Sequence, residues 1–530
     1  MKNLKHVLFG TLAVLAVLFL TGCWEKDNPV RTSLNVDTST LTLAVGESAT
    51  RTATTKAQWD YQITYTSSNP AVATVDQTGK VTAKSEGEAV ITVSMAESIK
   101  SWYAAATRSY NVVVKKAGSN DDGGATPAPV VAVTDLSMVD NAGGARSTMN
   151  TANCYMVHTA GDYKLPLVYG NAIKDGAANT AAYTGITNTY TTATFPNHAG
   201  TAINAPWITK ATTGDGVDKG MGIVVSTAEL LWQDAQGLVS AVGIDGDYLT
   251  LTVGKDAATQ EGNAVIAAKD AGGNIVWSWH IWVTKETFAT LTTVATGSHN
   301  YKVTPVNLGW VPTGGDGKQG YAPYYQWGRK DAFIPGTWND NTNRTVYDIS
   351  NTAVTRLTYE SSTTATIADN IKNPTTHYYC STWGPCNTTY YNMWDAQQTA
   401  ATGNITTATV KTVYDPCPAG FCVPTGNLYY FMGDGGSRSD SNWDGTNKGK
   451  TWLQTTYSSN TTGPDLYFPA SGYRNVSSGT LYGVGSYGYY WSASPNSSNG
   501  GHILYFDSSS WYWNGSFRAS GFPVRAVAEE

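Results

Sequence analysis

The side chains best placed to do chemistry are cysteines in close pairs, a histidine among tryptophans, and an aromatic, polar tract near the C-terminus. Cys380 and Cys386 flank Ser-Thr-Trp-Gly-Pro, and Cys417 and Cys422 are similarly close. In an oxidising compartment these are disulfide candidates, either as two local pairs or crossed between the pairs. Four thiolates also make a zinc set, but five and four intervening residues exceed the CxxC spacing of a zinc knuckle. No metal is therefore assigned. His280 lies between Trp277, Trp279 and Trp282 and reads as a hydrogen-bonded histidine in a sheet wall. Cys154 reads as a small buried thiol. No GxSxG elbow and no HExxH motif occurs. Asp434 and Asp440 are an acidic pair of glycosidase type, but sequence does not fix the separation that such chemistry needs. The expectation is recognition without catalysis: no catalytic residue, no metal and no cofactor.

Recognition chemistry is concentrated in Gly485–Glu530. Short apolar runs (Tyr489–Ala493, Ile503–Phe506, Trp511–Trp513, Phe522–Val527) alternate there with loops of Ser, Asn, Gly and Asp. That pattern predicts a compact antiparallel sheet with polar connections. Tyr505, Trp511, Tyr512 and Trp513 offer flat ring surfaces. Asn496, Ser498, Asn499, His502, Asp507, Ser509, Asn514 and Ser516 offer hydrogen bonds. Rigid aromatics beside small adaptable polar groups are the chemistry of paratopes. Strand alternation must send about half of these rings inward, and the sequence does not say which half. Tyr490–Ser494 (YWSAS) and Gly521–Arg525 (GFPVR) read as scaffold, with Arg525 tied into the fold. The recognition surface is accordingly expected between them, from Asn496 to Arg518.

Composition indicates what holds such a surface. With 530 residues the chain has room for about three domains. Charged residues are 14% and aromatics 12%, which excludes a self-repelling disordered chain and supplies ample core. A net charge of -6, with no basic run beyond the N-terminus, excludes a nucleic-acid partner. Abundant Gly, Ser, Thr and Asn between short apolar runs predict a mainly β, multidomain chain.

Met1–Gly22 carries Lys2 and Lys5 and then an apolar run from Val7 to Leu20, the layout of a signal peptide. Leu20-Thr21-Gly22-Cys23 resembles a bacterial lipobox. The resemblance implies cleavage before Cys23 and lipid on that residue, each buried methylene contributing about 0.8 kcal/mol to anchoring. Trp24-Glu25-Lys26-Asp27-Asn28 resembles the surface-export signal of Bacteroidetes lipoproteins. Residues 1–22 are thus a signal peptide and 23–32 a tether, and the implied address is the outer membrane, lipid-anchored and facing outward.

Residues 33–116 have turn residues every 8–12 positions between alternating strands, which predicts a β-sandwich. SSNPAVATVD…GKVTA, ending in AVITV, resembles bacterial immunoglobulin-like group 2 domains, with Tyr65 where that family usually has Trp. Residues 117–129 read as a flexible linker. In residues 130–298, alternation over Ile275–Val283 puts Ile275, Trp277, Trp279, Ile281 and Val283 on one face. The wording from ANCYMV to GNIVWSWHIWVT resembles a β module of fimbrillin-like surface lipoproteins, and implies a second sandwich. In residues 299–530 the ordered set NLG, YQWGRKD, DPCPAG, FPASGYR, YWSAS and GFPVR resembles the Fibrobacter succinogenes major paralogous domain. That family implies a C-type lectin-like α+β fold. Phe421-Cys422 replaces its usual Trp-Arg.

The expected function is a cell-surface, lipid-anchored adhesin. Its C-terminal lectin-like face would bind a glycan or protein ligand on a host or bacterial surface. Proteins resembling it include targets of diversity-generating retroelements, and Asn496–Ser516 is rich in the residue types that adenine-directed variation produces. The rivals are a fimbrial subunit without its own ligand, and a carbohydrate-active hydrolase.

Overall fold

The computed structural model describes residues 34–37, 40–98, 100, 103, 105–115, 133–184, 195–210, 219–296, 299–362, 364–379, 390–403, 405–433, 442–452, 461–462 and 464–530. The lipidation candidate Cys23, the linker 117–129, Cys380, Cys386, Asp434 and Asp440 lie outside them. The chain falls into two compact units, divided at Val130/Val131.

The first unit is a sandwich. One sheet has the order Leu41–Ala44, Ala106–Lys115, Gly87–Met95, Ile63–Ser67, and the other Ser48–Thr50, Lys80–Ala83, Ala73–Val75. Alternation along Gly87–Met95 sends Ala89, Ile91, Val93 and Met95 inward to meet Val112, Val114 and Val81. Tyr65 fills the centre of this core, and its hydroxyl accepts the Ala53 N–H at 2.6 Å. A tyrosine here adds a polar tip, so it needs this partner to be buried.

The second unit is organised by a six-stranded sheet of order Ala353–Val354, Val346–Tyr347, Thr227–Gln233, Gly262–Lys269, Ile275–Val283, Cys154–Val157. Every residue of Ile275–Val283 after the first is buried, so both faces of this strand are covered. A strand covered on both sides loses its polar/apolar alternation. Ser278 Oγ donates to Asp331 at 2.9 Å and Trp282 Nε1 donates to the Trp310 carbonyl at 3.1 Å, whereas the buried Trp279 Nε1 has no hydrogen-bond partner among the described residues. His280 meets Asn263 Oδ1 at 2.8 Å, and burial pushes its pKa down to about 3. Residues on either side of 298 therefore share one sheet and one core. A second crossing occurs where Phe421–Cys422, Val527–Ala528, Asn300–Val303, Thr292–Ala295 and Thr461–Thr462 form a five-stranded sheet.

Arg525 is fully buried and ties this unit together. It donates to Asn307 Oδ1 at 3.0 Å and to the carbonyls of Thr304, Pro305 and Tyr467 at 3.2, 2.9 and 2.8 Å. The guanidinium lies 4.3 Å from the centroid of the Phe468 ring. Its five donors in a fixed fork suit four scattered acceptors in a way a lysine does not.

One expectation is corrected here. Cys417 and Cys422 are free buried thiols. The turn between them is closed by the Phe421 N–H to the Pro418 carbonyl at 3.1 Å, and by Asp415, which accepts from the Cys417 and Val423 backbones. Cys422 packs in the core of Tyr301 and Leu428, whereas Cys417 packs in the larger core with Val413 and Val423. Entering two different cores, the pair does not bridge.

Candidate functional site

The last sheet has three antiparallel strands, β1 (Gly488–Ser497), β2 (Gly500–Phe506) and β3 (Trp511–Phe517). Its register aligns Tyr489 with Tyr505 and Tyr512, and the neighbouring row aligns Gly488, Phe506 and Trp511. Adjacent rows point to opposite faces, so this register decides which rings are available.

One face is core. Tyr490, Leu504, Phe506 and Trp511 pack with Phe468, Trp452 and the Leu428 and Tyr429 side chains of helix α1 (Gly426–Gly433). The Phe506 ring lies over Gly488: a Cβ at that position would sit 2.1 Å from ring carbons. Only glycine permits this approach. Trp511 is 1% exposed, with Phe506 stacked 5.1 Å away. Its place among the expected ligand contacts is corrected, because strand parity turns it away from the outward row. His502 is also buried, 4.3 Å from the Trp513 ring and nearly parallel to it. Burial pushes its pKa down to about 4. Trp513 is half-buried on this side, edge-on to Tyr430 of α1.

The other face carries a row of tyrosines. Tyr505 lies 4.9 Å from Tyr489 and 4.6 Å from Tyr512, ring centre to ring centre. Tyr489 rests on Phe522 at 4.9 Å and Tyr473 at 4.8 Å, which fixes the row to the core. A second arm joins at Tyr505: Tyr487 lies 6.2 Å from it, and Tyr482 a further 6.2 Å on, with ring planes inclined by 30° and 14°. Tyr473 and Tyr482 close the group at 5.6 Å. The glycines between make this possible. Gly483 has φ +70°, and its absent Cβ would fall 2.2 Å from the Tyr487 ring. Tyr482 is 53% exposed, while Tyr473, Tyr487, Tyr489, Tyr505 and Tyr512 are half-buried.

Asp507 lies beside the row, against its central ring, Tyr505. It accepts from the Tyr505 hydroxyl at 3.0 Å, the Ser509 N–H at 2.8 Å and hydroxyl at 2.9 Å, and the Ser510 N–H at 2.7 Å. Burial alone would favour its neutral form, but these bonds outweigh it and hold the carboxyl below its usual range. Burial, with the adjoining Asp507 charge, pushes the Tyr505 phenol well up, so the pair is a neutral donor on an anionic acceptor.

The remaining expected contacts gather at the far end of the sheet. Asn496, Ser498, Asn499 and Ser516 surround the β1–β2 turn, and Asn514 is exposed between them and Tyr512 on β3. Arg518 is buried beneath that turn. It donates to the Gly500, Ser497 and Tyr390 carbonyls at 3.2, 3.3 and 3.0 Å and lies 4.1 Å from the Trp327 ring centre. Asn496 Nδ2 is 3.4 Å from His502 Nδ1. The structure thus brings Tyr505, Tyr512, Asp507 and Ser509 together and separates them from the asparagine end. The window from Asn496 to Arg518 missed Tyr473, Tyr482, Tyr487 and Tyr489. For Tyr482, Tyr487 and Tyr489 the signal was present as glycine-spaced tyrosines in Leu481–Tyr490 (LYGVGSYGYY), since glycine leaves room for a ring beside the backbone.

Two depressions elsewhere among the described residues of this unit are small. The depressions lined by Tyr321, Trp338, Lys448 and Val484, and by Leu136, Asn150 and Met156, hold about 10 Å³ each, room for about one water. The carboxylates raised to about 6 by burial, Asp234, Asp395 and Asp415, are consumed by hydrogen bonds to backbone and amide groups. Among the described residues no three His, Cys, Asp or Glu side chains gather as a metal-binding group.

Two family models match. Residues 30–100 match the bacterial Ig-like domain (group 2), and residues 444–527 match a domain of unknown function, DUF8237. No curated protein matches the chain. Among solved structures, surface layer protein SbsC domains 4-9 align at 15% identity and TM-score 0.14, over 62% of this chain and 38% of that one. The Bacteroides ovatus SGBP-B of a mixed-linkage glucan utilization locus, in complex with a mixed-linkage heptasaccharide, aligns at 14% identity and TM-score 0.12. That alignment covers 62% and 64% of the two chains. Protocadherin Gamma B2 cadherin domains 3-6 align at 13% identity and TM-score 0.13, over 49% and 52%.

Proposed function

We propose that the protein is a cell-surface adhesin, held in the outer membrane by lipid on Cys23, with the Ig-like unit as a spacer. Its C-terminal region binds a glycan or protein ligand on a host or bacterial surface. The observation that carries this reading is the tyrosine row, an open aromatic surface fixed to a rigid sheet. Apolar ring area of this extent has a solvation cost that folding leaves in place, as at interaction sites. The ordered motifs resembling the Fibrobacter succinogenes major paralogous domain support a lectin-like tip, and the resemblance of residues 130–298 supports kinship with fimbrillin-like lipoproteins. Recognition by surface contact suits a face that carries rings and hydrogen-bonding groups side by side.

The test is attachment of the full chain, displayed on beads, to gut bacterial cells, host epithelial cells and a glycan array. Binding that is lost in Tyr505→Ala and Tyr512→Ala with an unchanged circular dichroism spectrum supports the reading. Incorporation into a purified fibre with no attachment to any surface overturns it in favour of a fimbrial subunit. Glycan turnover abolished by one carboxylate substitution overturns it in favour of a hydrolase. Lipid is tested separately by palmitate labelling, expected in the wild type and absent in Cys23→Ala.

A further inference from the structure

Resting on that reading, we infer that the ligand of the tyrosine row is an uncharged linear polysaccharide, bound along its interior. Three features of the row select this class.

The first is ring chemistry. The exposed surface is built from phenols, which combine a flat apolar body with a polar tip. Pyranose rings have the complementary character, with C–H faces that lie on aromatic rings and hydroxyls at the rim. A row of Leu or Phe would suit an apolar helix instead.

The second is charge. Of the residues named along the row only Asp507 carries a formal charge, and Lys450 is buried behind it with Nζ on the Ser510 carbonyl at 3.0 Å. A partly buried carboxylate beside the central ring of the row repels uronate and sulfate, and accepts hydrogen bonds from neutral hydroxyls.

The third is shape. Tyr482, Tyr487, Tyr505 and Tyr512 follow one another at 6.2, 6.2 and 4.6 Å. Tyr482 forms one end at 53% exposure and half-buried Tyr512 the other, on the edge strand β3. With a ring at each end, the row is laid out as a track that follows a chain. Each ring contact is weak, and association must first offset lost translational freedom, so several rings must be engaged at once. Affinity should therefore rise with chain length until the row is filled.

The experiment is affinity electrophoresis and calorimetry of the full chain against neutral glucans, mannans and xylans, an acidic pectin, and an oligosaccharide ladder of the best ligand. The expected result is binding to at least one neutral polymer, no binding to its monosaccharide, and affinity that climbs at least tenfold from trimer to hexamer. Tyr487→Ala and Tyr482→Ala should each weaken binding about tenfold, Tyr487→Phe much less, and Trp513→Ala on the opposite face not at all. Tighter binding to pectin, equal affinity for monosaccharide and hexamer, or Tyr487→Ala binding like the wild type would each overturn the inference. If the chain attaches to cells through Tyr505 and Tyr512 yet retards on none of these polymers, this inference fails while the adhesin reading stands. If it attaches to no cell and binds no polymer, the adhesin reading itself fails.

Discussion

Trp511 and Tyr512 are neighbours on one strand, and exchanging each for alanine should separate stability from recognition. Trp511 is 1% exposed and packs against Phe506, Trp452 and Phe468 at 5.1, 5.9 and 5.6 Å between ring centres. Removing so large a ring from a filled core costs about 3–5 kcal/mol, the sum of lost burial and an unfilled cavity. Its indole N–H has no hydrogen-bond partner among the described residues, so Trp511→Ala loses packing and no hydrogen bond. Trp511→Phe keeps most of the ring and removes a buried orphan donor whose desolvation costs about 1–3 kcal/mol. The two effects oppose, and Trp511→Phe should lie within about 1.5 kcal/mol of the wild type. Half-buried Tyr512 gives up much less, about 1 kcal/mol, because its ring keeps a wet side. Urea unfolding followed by near-UV circular dichroism reads these differences, and the second unit should unfold in its own transition. The order of midpoints should be wild type and Trp511→Phe, then Tyr512→Ala, then Trp511→Ala. Ligand binding should follow a different order, with Tyr512→Ala weakened and Trp511→Phe normal. An unchanged midpoint in Trp511→Ala together with lost binding would refute the assignment of faces.

Gly488→Ala places a methyl 2.1 Å from the Phe506 ring and should destabilise by about 1–3 kcal/mol, measured by the same urea transition. His502 has its folded pKa lowered to about 4 from an ordinary 6.5, so between those values the unfolded chain binds the additional proton and stability falls as pH falls. His502→Gln should flatten the loss between pH 6.5 and 4 relative to the wild type; parallel curves would show that the imidazole is not held neutral. Cys417 and Cys422 should resist a thiol reagent in the folded chain and take up one label each in denaturant without reductant, read by peptide mass. A missing pair of labels would reveal a disulfide.

The strands of the closing sheet were legible because short aromatic runs and Asn/Ser/Gly turns alternate at the right spacing. Their parity was not. Whether Trp511 or Tyr512 faces inward depends on what covers the sheet, and its covers are Phe468 and α1 on one side and Tyr473 and Phe522 on the other. Those partners lie outside the three strands, so no pattern within a strand encodes the choice. The same limit applied to Ile275–Val283, whose polar face is covered by Trp310 and Asp331. The role of Arg525 was legible because a basic residue inside an apolar motif must find acceptors. The bridge between Cys417 and Cys422 was misjudged because spacing shows only that two thiols are near. It does not show that they enter separate cores.

The division of labour in the closing sheet bears on how far its outer surface can change. The contacts that fix the hairpins are made from behind: Arg518 grips the Ser497–Gly500 turn through backbone carbonyls, Trp491 Nε1 donates to the Tyr325 carbonyl at 2.8 Å, and Trp327 Nε1 donates to the Ser492 carbonyl at 2.9 Å. Bonds to main-chain oxygens do not depend on the identity of the side chains they support. Ser498, Ser509 and Asn514 are exposed, and substitutions at such positions usually change stability by less than about 0.5 kcal/mol. The sheet can therefore exchange its outward polar residues while Arg518, Trp491 and Gly488 hold its geometry. On the proposed reading, substitutions at Ser509 and Asn514 would retune hydrogen bonding beside an aromatic row that stays in place, while those at Ser498 and Ser516 would change the far end of the same sheet.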